Sequence, residues 1–234
     1  MNTLPILQIS TAAQDTLAGA TEAITEETIS VWDLIAGGGW YIMVPLAILS
    51  VLAIYIFAER WMAINKASKQ DKDFMNRIKD YVSEGKLDAA RSLCLSENTP
   101  IARMIDKGVA RIGKPMDDVS ASIENVGKLE IYKLEKGLPV LATVAGAAPM
   151  IGFLGTVIGM IVTFHAMKIS GSGVEIENLS GGIMQAMVTT VAGLIIGIVA
   201  YICYNTLVVK VDKVVHGMER QSIEFIDLLE QPGK

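Results

Sequence analysis

The sequence predicts an all-α integral membrane protein with three spans and long helices that project into the cytoplasm. Three observations predict it. Of the 234 residues, 51% are hydrophobic and 19% charged, and the mean hydropathy of +0.43 is too apolar for a soluble domain of this length. The apolar content is Val, Ile, Leu, Met and Ala with 21 Gly and only 6% aromatics, which suits close-packed helices better than a β-barrel with aromatic girdles. Three stretches, 40–58, 138–167 and 182–209, contain no Asp, Glu, Lys or Arg, and each reaches the roughly 20 helical residues that a bilayer core requires.

Charge orients these stretches. Residues 1–39 carry five acids (Asp15, Glu22, Glu26, Glu27, Asp33) and no Lys or Arg, whereas residues 59–137 hold 15 Lys and Arg against 13 Asp and Glu. The positive-inside rule places the first segment on the outer, periplasmic face and the second in the cytoplasm. Within 1–39, Thr28 to Ile35 reads either as a short interfacial helix hinged at Gly37-Gly38-Gly39 or as part of an unstructured tail. Span one follows over 40–58. In 59–137, apolar residues at three-to-four spacing predict helices over Phe74–Glu84, Lys86–Ser96 and Ile101–Ile112, separated by Gly85, Pro100 and Gly113-Lys114-Pro115. A further helix starts at Asp117-Asp118 and, if unbroken to Met167, is about 75 Å long. Span two, 138–167, leads through a short periplasmic hairpin, 168–181, to span three, 182–209. The tail, 210–234, returns to the cytoplasm with a mostly apolar stripe of Val211, Val215, Met218, Ser222, Ile226 and Leu229.

Several functions are excluded by composition. Cys94 and Cys203 form no CxxC or disulfide framework, and two histidines, His165 and His216, make no zinc site, so no metal or cofactor is expected. The net charge of −5 offers nucleic acid no basic surface. The cytoplasmic segment has no recognisable nucleophile, metal cluster or phosphate loop, which argues against an enzyme.

Spans two and three carry the informative patterns. Ala142, Ala145, Pro149, Gly152, Thr156, Gly159, Thr163 and Ala166 alternate at three and four, and every one is small or Pro. Ala186, Thr190, Gly193, Gly197 and Ala200 repeat the pattern in span three, and Gly155 with Gly159 adds a GxxxG step. Such seams let helix backbones approach closely where lipid supplies no hydrophobic drive. The opposite face of span two is bulky, with Ile151, Leu154, Ile158 and Ile161. Polar side chains picked out in spans two and three are Thr143, Thr156, Thr163, Gln185, Thr189 and Thr190. A lone Thr commonly satisfies its own i−4 carbonyl, but the Gln185 amide needs a cavity, a partner or the membrane boundary. Pro149 frees the Ala145 carbonyl to kink the helix or to bind water. With no intramembrane acid, a proton relay here would need an acid brought by another chain.

Ala148-Pro149-Met150-Ile151-Gly152-Phe153-Leu154-Gly155-Thr156-Val157-Ile158-Gly159-Met160 and Gly182-Ile183-Met184-Gln185-Ala186-Met187-Val188-Thr189-Thr190-Val191-Ala192-Gly193-Leu194 resemble the signature of the MotA/TolQ/ExbB proton-channel family. The likeness extends from about Trp32 to Leu229, including Glu59-Arg60 and Leu134-Glu135-Lys136-Gly137-Leu138-Pro139. Three spans with the large segment after the first resemble the ExbB and TolQ branches, and the long outer N-terminus favours ExbB over a TolQ-type envelope role. The resemblance implies a homopentameric ring in the inner membrane, surrounded by lipid, with spans two and three lining a pore. It also implies an ExbD- or TolR-like partner whose intramembrane Asp carries the proton, and a TonB- or TolA-like protein as the recipient of work. By the same resemblance Thr190 is the pore hydroxyl, with Gln185 and Thr189 near the external mouth. The family's span-two pore Thr aligns with Ala147, and its span-three Glu with Gln185. Thr156 serves either the pore or the seam. A passive membrane scaffold, held together by Ala145, Pro149, Gly152, Gly155, Gly159, Gly193 and Gly197, is the reading of a different class.

Overall fold

The computed structural model describes residues 39–69, 73–170 and 176–230, in which the chain forms seven helices and no strand. The interfacial helix expected near Thr28 lies outside the described residues. We label the helices α1 (Trp40–Ser68), α2 (Phe74–Ser83), α3 (Leu87–Glu97), α4 (Pro100–Val109), α5 (Met116–Glu135), α6 (Leu138–Ser170) and α7 (Ile176–Glu230). Three apolar stretches, in α1, α6 and α7, are long and apolar enough to cross a membrane. The helices overrun the apolar stretches that predicted them. At 55 residues α7 is about 82 Å long, so it continues from its apolar half into the bundle of short helices.

The short helices stop where local chemistry stops them. Asn98 takes the left-handed conformation (φ 46°) that closes α3, and the next residue opens α4: the Thr99 hydroxyl accepts the Ala102 N–H at 3.3 Å, with Pro100 at the first helical position. The helical stretch over Asp117–Met167 is broken between Glu135 and Leu138, so it does not run the full length that an unbroken helix would have. Gly137 sits at φ +88°, open to glycine but costly for other residues, and Pro139 has no N–H to return to the Glu135 carbonyl. The break lays the turn against α1, since a Cβ on Gly137 would lie 3.4 Å from Ile56 Cγ2.

The largest core lies where α2, α4, α5 and the second half of α7 converge. Ile78, Ile105, Ile123 and Phe225 are fully buried there, and Leu141 and Leu207 continue the core towards the long helices. Along this part of α7, Val211, Val214, Met218, Gln221 and Phe225 are buried, and Val215, Ile226 and Leu229 of the expected stripe are partly buried and pack on the same core. Phe225, absent from the expected stripe, is fully buried. Its ring fits against Gly108, where an added Cβ would come within 2.6 Å of the Phe225 Cε1.

Two polar ties fasten this bundle to α1. The Lys210 ammonium lies 3.2 Å from the Trp61 ring centroid and donates to Asn65 Oδ1 at 2.9 Å, joining α7 to α1. Glu130 on α5 is a buried carboxylate, 3% exposed. It accepts from Arg103 at 2.6 Å and from Lys133 at 2.7 Å, while Arg60 of α1 donates to the Lys133 carbonyl at 3.3 Å. Arg103 also grips the Asn98 carbonyl at 2.9 Å and its Oδ1 at 2.8 Å, so α1, α3, α4 and α5 share one polar cluster.

Burial pushes the Glu130 carboxyl up, but hydrogen bonds and charge from Arg103 and Lys133 prevail and hold it below the ordinary carboxylate range. A lowered folded-state pKa stabilises above the unfolded value near 4.3, and that contribution is lost as pH falls through the folded value. Glu130→Ala should therefore lower the thermal midpoint at pH 7 by the equivalent of about 1–2 kcal/mol, discounted because both cations are partly exposed. Glu130→Gln should flatten the loss of stability in acid; an acid profile unchanged by Glu130→Gln would show that other carboxylates govern it.

Candidate functional site

The candidate site is the contact between α6 and α7. Where the two small-residue seams meet, side chains are replaced by backbone. A Cβ on Gly152 would lie 2.8 Å from the Thr189 carbonyl oxygen and 3.1 Å from Thr190 Cα. One on Gly193 would lie 2.5 Å from the Ala148 carbonyl oxygen and 2.9 Å from Gly152 Cα. The seam extends both ways: a Cβ on Gly159 would approach Ala186 Cβ to 2.7 Å, and one on Gly197 would meet Pro149 Cγ at 2.5 Å. The carbonyl that Pro149 frees is therefore covered. Ala145 O is 3.1 Å from the Cβ that Gly197 lacks, so α7 backbone occupies the place expected to bend or take water. Gly155 faces a different pair, the Thr189 side chain and Ile42 of α1.

Most hydroxyls in the apolar helices turn back on their own backbone. Thr143 donates to the Pro139 carbonyl at 2.9 Å and Thr163 to Gly159 at 2.8 Å, both four residues back, and Thr156 donates to Phe153 at 2.6 Å. Thr190 does not. Its hydroxyl crosses to α6 and donates to the Gly152 carbonyl at 3.0 Å. Thr189, the preceding residue, donates to the Ala186 carbonyl at 2.7 Å and stands 3.4 Å from the same Gly152 oxygen. Sequence reasoning singled out both threonines but missed their common acceptor, because a carbonyl leaves no trace in a residue pattern; the absence of a side chain at Gly152 was the available signal.

The remaining expected residues are placed as follows. Thr189 is 2% exposed, inside the seam, whereas Thr190, Gln185, Thr156 and Ala147 are half-buried. Gln185 precedes Thr189 by one turn. Gly152, Gly155, Gly193 and Gly197 are buried, and Ala145, Pro149 and Gly159 half-buried, along one line of contact. Of the bulky face of α6, Ile151 and Ile158 pack on the cluster of Ile42, Leu46 and Ala148, while Leu154 and Ile161 are 50% and 61% exposed.

The chemistry available here is hydrogen bonding without intrinsic charge. No Asp, Glu, Lys or Arg lies in 138–167 or 182–209, and no cluster of His, Cys, Asp and Glu among the described residues could hold a metal. Outside the apolar helices, burial pushes the Cys94 thiol up to about 12, which keeps it protonated and a poor nucleophile.

Comparison with known proteins places the chain among membrane transport proteins of one family. The sequence profile of the MotA/TolQ/ExbB proton channel family matches residues 96–220, more than half of the chain. An ExbB-like biopolymer transport protein of Synechocystis is 27% identical over 172 residues, covering 73% of this chain and 68% of that protein. The biopolymer transport protein ExbB of Aquifex aeolicus is 40% identical over 94 residues, 39% of this chain and 63% of its own length. The Tol-Pal system protein TolQ of Haemophilus influenzae is 36% identical over 98 residues, 42% of this chain and 41% of its own length. The matched region thus spans less than two thirds of the latter two proteins.

The close approach of α6 and α7 makes a specific demand on glycine. Gly193→Ala puts a methyl against the facing backbone of α6 and should cost about 1–3 kcal/mol, read as a lowered thermal midpoint in detergent. Gly217→Ala, where an added Cβ meets nothing within 4 Å, should leave the midpoint unchanged or raise it by the equivalent of up to about 1 kcal/mol of helix propensity. Equal melting of the two variants would refute the contact.

Proposed function

We infer the role of this chain from one premise: it belongs to the MotA/TolQ/ExbB proton channel family. We propose that it is the channel subunit of an energy transducer. Five copies form a ring in the inner membrane, N-termini periplasmic and C-termini cytoplasmic, around the transmembrane helices of an ExbD- or TolR-like partner. Inward proton flow then moves the ring against the partner and delivers work to a TonB-like protein for nutrient import across the outer membrane. In this reading residues 1–39 and 168–181 are periplasmic and 59–137 and 210–234 cytoplasmic.

One observation carries the proposal. The α6 to α7 seam holds the hydroxyls of Thr189 and Thr190, and the apolar stretches 138–167 and 182–209 hold no carboxylate, so an acidic proton carrier within the membrane has to come from a second chain. Thr190 is the hydroxyl offered to the pathway, because it alone of the α6 and α7 threonines described above bonds only across the seam and stays half-buried. Gln185 and Thr156 flank the pathway. Ala147 leaves a gap where the family signature has a hydroxyl. An envelope-energising role of the TolQ type draws support from the TolQ relative, whose identity of 36% is close to the 40% of the Aquifex ExbB.

Reconstitution tests this. Proteoliposomes containing the chain with its ExbD/TolR-like partner should take up protons, and Thr190→Val should lower uptake about tenfold, the consequence of losing one hydroxyl contact to the moving proton. A variant that conducts as wild type removes Thr190 from the pathway. A stable wild-type assembly with no uptake supports the passive scaffold.

A further inference from the structure

We propose that Thr189 is a positioning residue for this pathway: a reserve donor that holds the Gly152 carbonyl whenever the Thr190 hydroxyl leaves it. The proposal deepens the channel reading and rests on it.

Successive residues of a helix point about 100° apart, so two neighbours rarely serve one acceptor. Here they do, because Gly152 has no side chain to fill the space between them: the Cβ it lacks would lie 2.8 Å from the Thr189 backbone oxygen and 3.1 Å from Thr190 Cα. The Thr190 hydroxyl lies 3.0 Å from the Gly152 oxygen, and that of Thr189 lies 3.4 Å from the same oxygen and closer, at 2.7 Å, to the Ala186 carbonyl. Moving from Ala186 to Gly152 requires Thr189 to rotate its O–H and close a few tenths of an ångström. A helix carbonyl keeps a second lone pair beyond its own i+4 bond, and this one serves as the seam's cross-helix acceptor.

The two hydroxyls differ in freedom. Thr190 is half-buried and can turn its hydroxyl outward to a water or to a carboxyl of a partner chain. Thr189 is 2% exposed, and a Cβ on Gly155 would collide with its hydroxyl, so it is confined to the seam. Without Thr189, each outward turn of Thr190 would leave the Gly152 carbonyl without its cross-helix donor in a dry environment, where a lost partner is most costly. With Thr189, the α6 to α7 contact stays bonded in both positions, and Thr190 turns against a smaller penalty. No covalent bond changes in this exchange; only hydrogen bonds are traded.

The hydroxyl, not the volume, of Thr189 is what matters, and that separates a positioning role from simple packing. In proteoliposomes of the full chain with its ExbD/TolR-like partner, Thr189→Val keeps the shape and should lower proton uptake about three- to tenfold, while Thr189→Ser keeps the hydroxyl and should stay within about twofold of wild type. If Thr189→Val fails to assemble, Thr189→Ser against Thr189→Ala decides by the same comparison. Uptake equal to wild type in the Val variant, or a Ser variant as poor as Val, overturns the proposal while a defective Thr190→Val leaves the channel reading standing. Absence of uptake by the wild-type pair overturns both.

Discussion

Everything in this structure depends on how closely α6 and α7 approach. Lipid does not reward two apolar helices for pairing, so their contact has to come from van der Waals fit and from hydrogen bonds. Glycine at 152, 193 and 197 removes the side chains that would hold the backbones apart, and an added Cβ at any of them would fall within 2.8 Å of the opposite helix. That proximity brings a carbonyl of one helix within reach of two hydroxyls of the other. Were either glycine row bulkier, Thr190 would have to satisfy its own backbone, as Thr143 and Thr163 do.

The seam is mechanically continuous with the rest of the protein. α7 carries it without a break into the core around Phe225, and α6 begins directly after the Gly137 turn that presses on α1. Lys210 on Trp61 and the Arg60, Lys133, Glu130 and Arg103 cluster tie α1 to both sides of this frame. These packed side chains and charge-assisted bonds give the α6 and α7 pair a continuous connection to the short helices, which suits a subunit whose proposed work is mechanical.

Much of this was legible in the sequence, for physical reasons that also mark where legibility ended. Uninterrupted apolar stretches admit few alternatives, and small residues alternating at three and four define a helix face without knowledge of its partner. Gly85, Pro100 and Gly113-Lys114-Pro115 punctuate the short helices because their backbone preferences are local. Glu130 was not legible, since a charge count ignores register: it shares the face of Ile123, Gly127 and Leu134, which is the one pattern that could have exposed it. The burial of Phe225 was not legible in its own helix, because it is a fit to Gly108, more than a hundred residues away in sequence. The Gly152 acceptor depends on the relative stagger of two helices, which neither helix's own pattern contains.

The central claim is that this chain provides the path but not the proton carrier. Its most direct test is proton uptake by proteoliposomes holding the chain alone, the chain with its ExbD/TolR-like partner, and the chain with a partner whose intramembrane aspartate is replaced by asparagine. Uptake is expected from the intact pair only. Sustained uptake by the chain alone, or an unreduced rate with the neutralised partner, would contradict it.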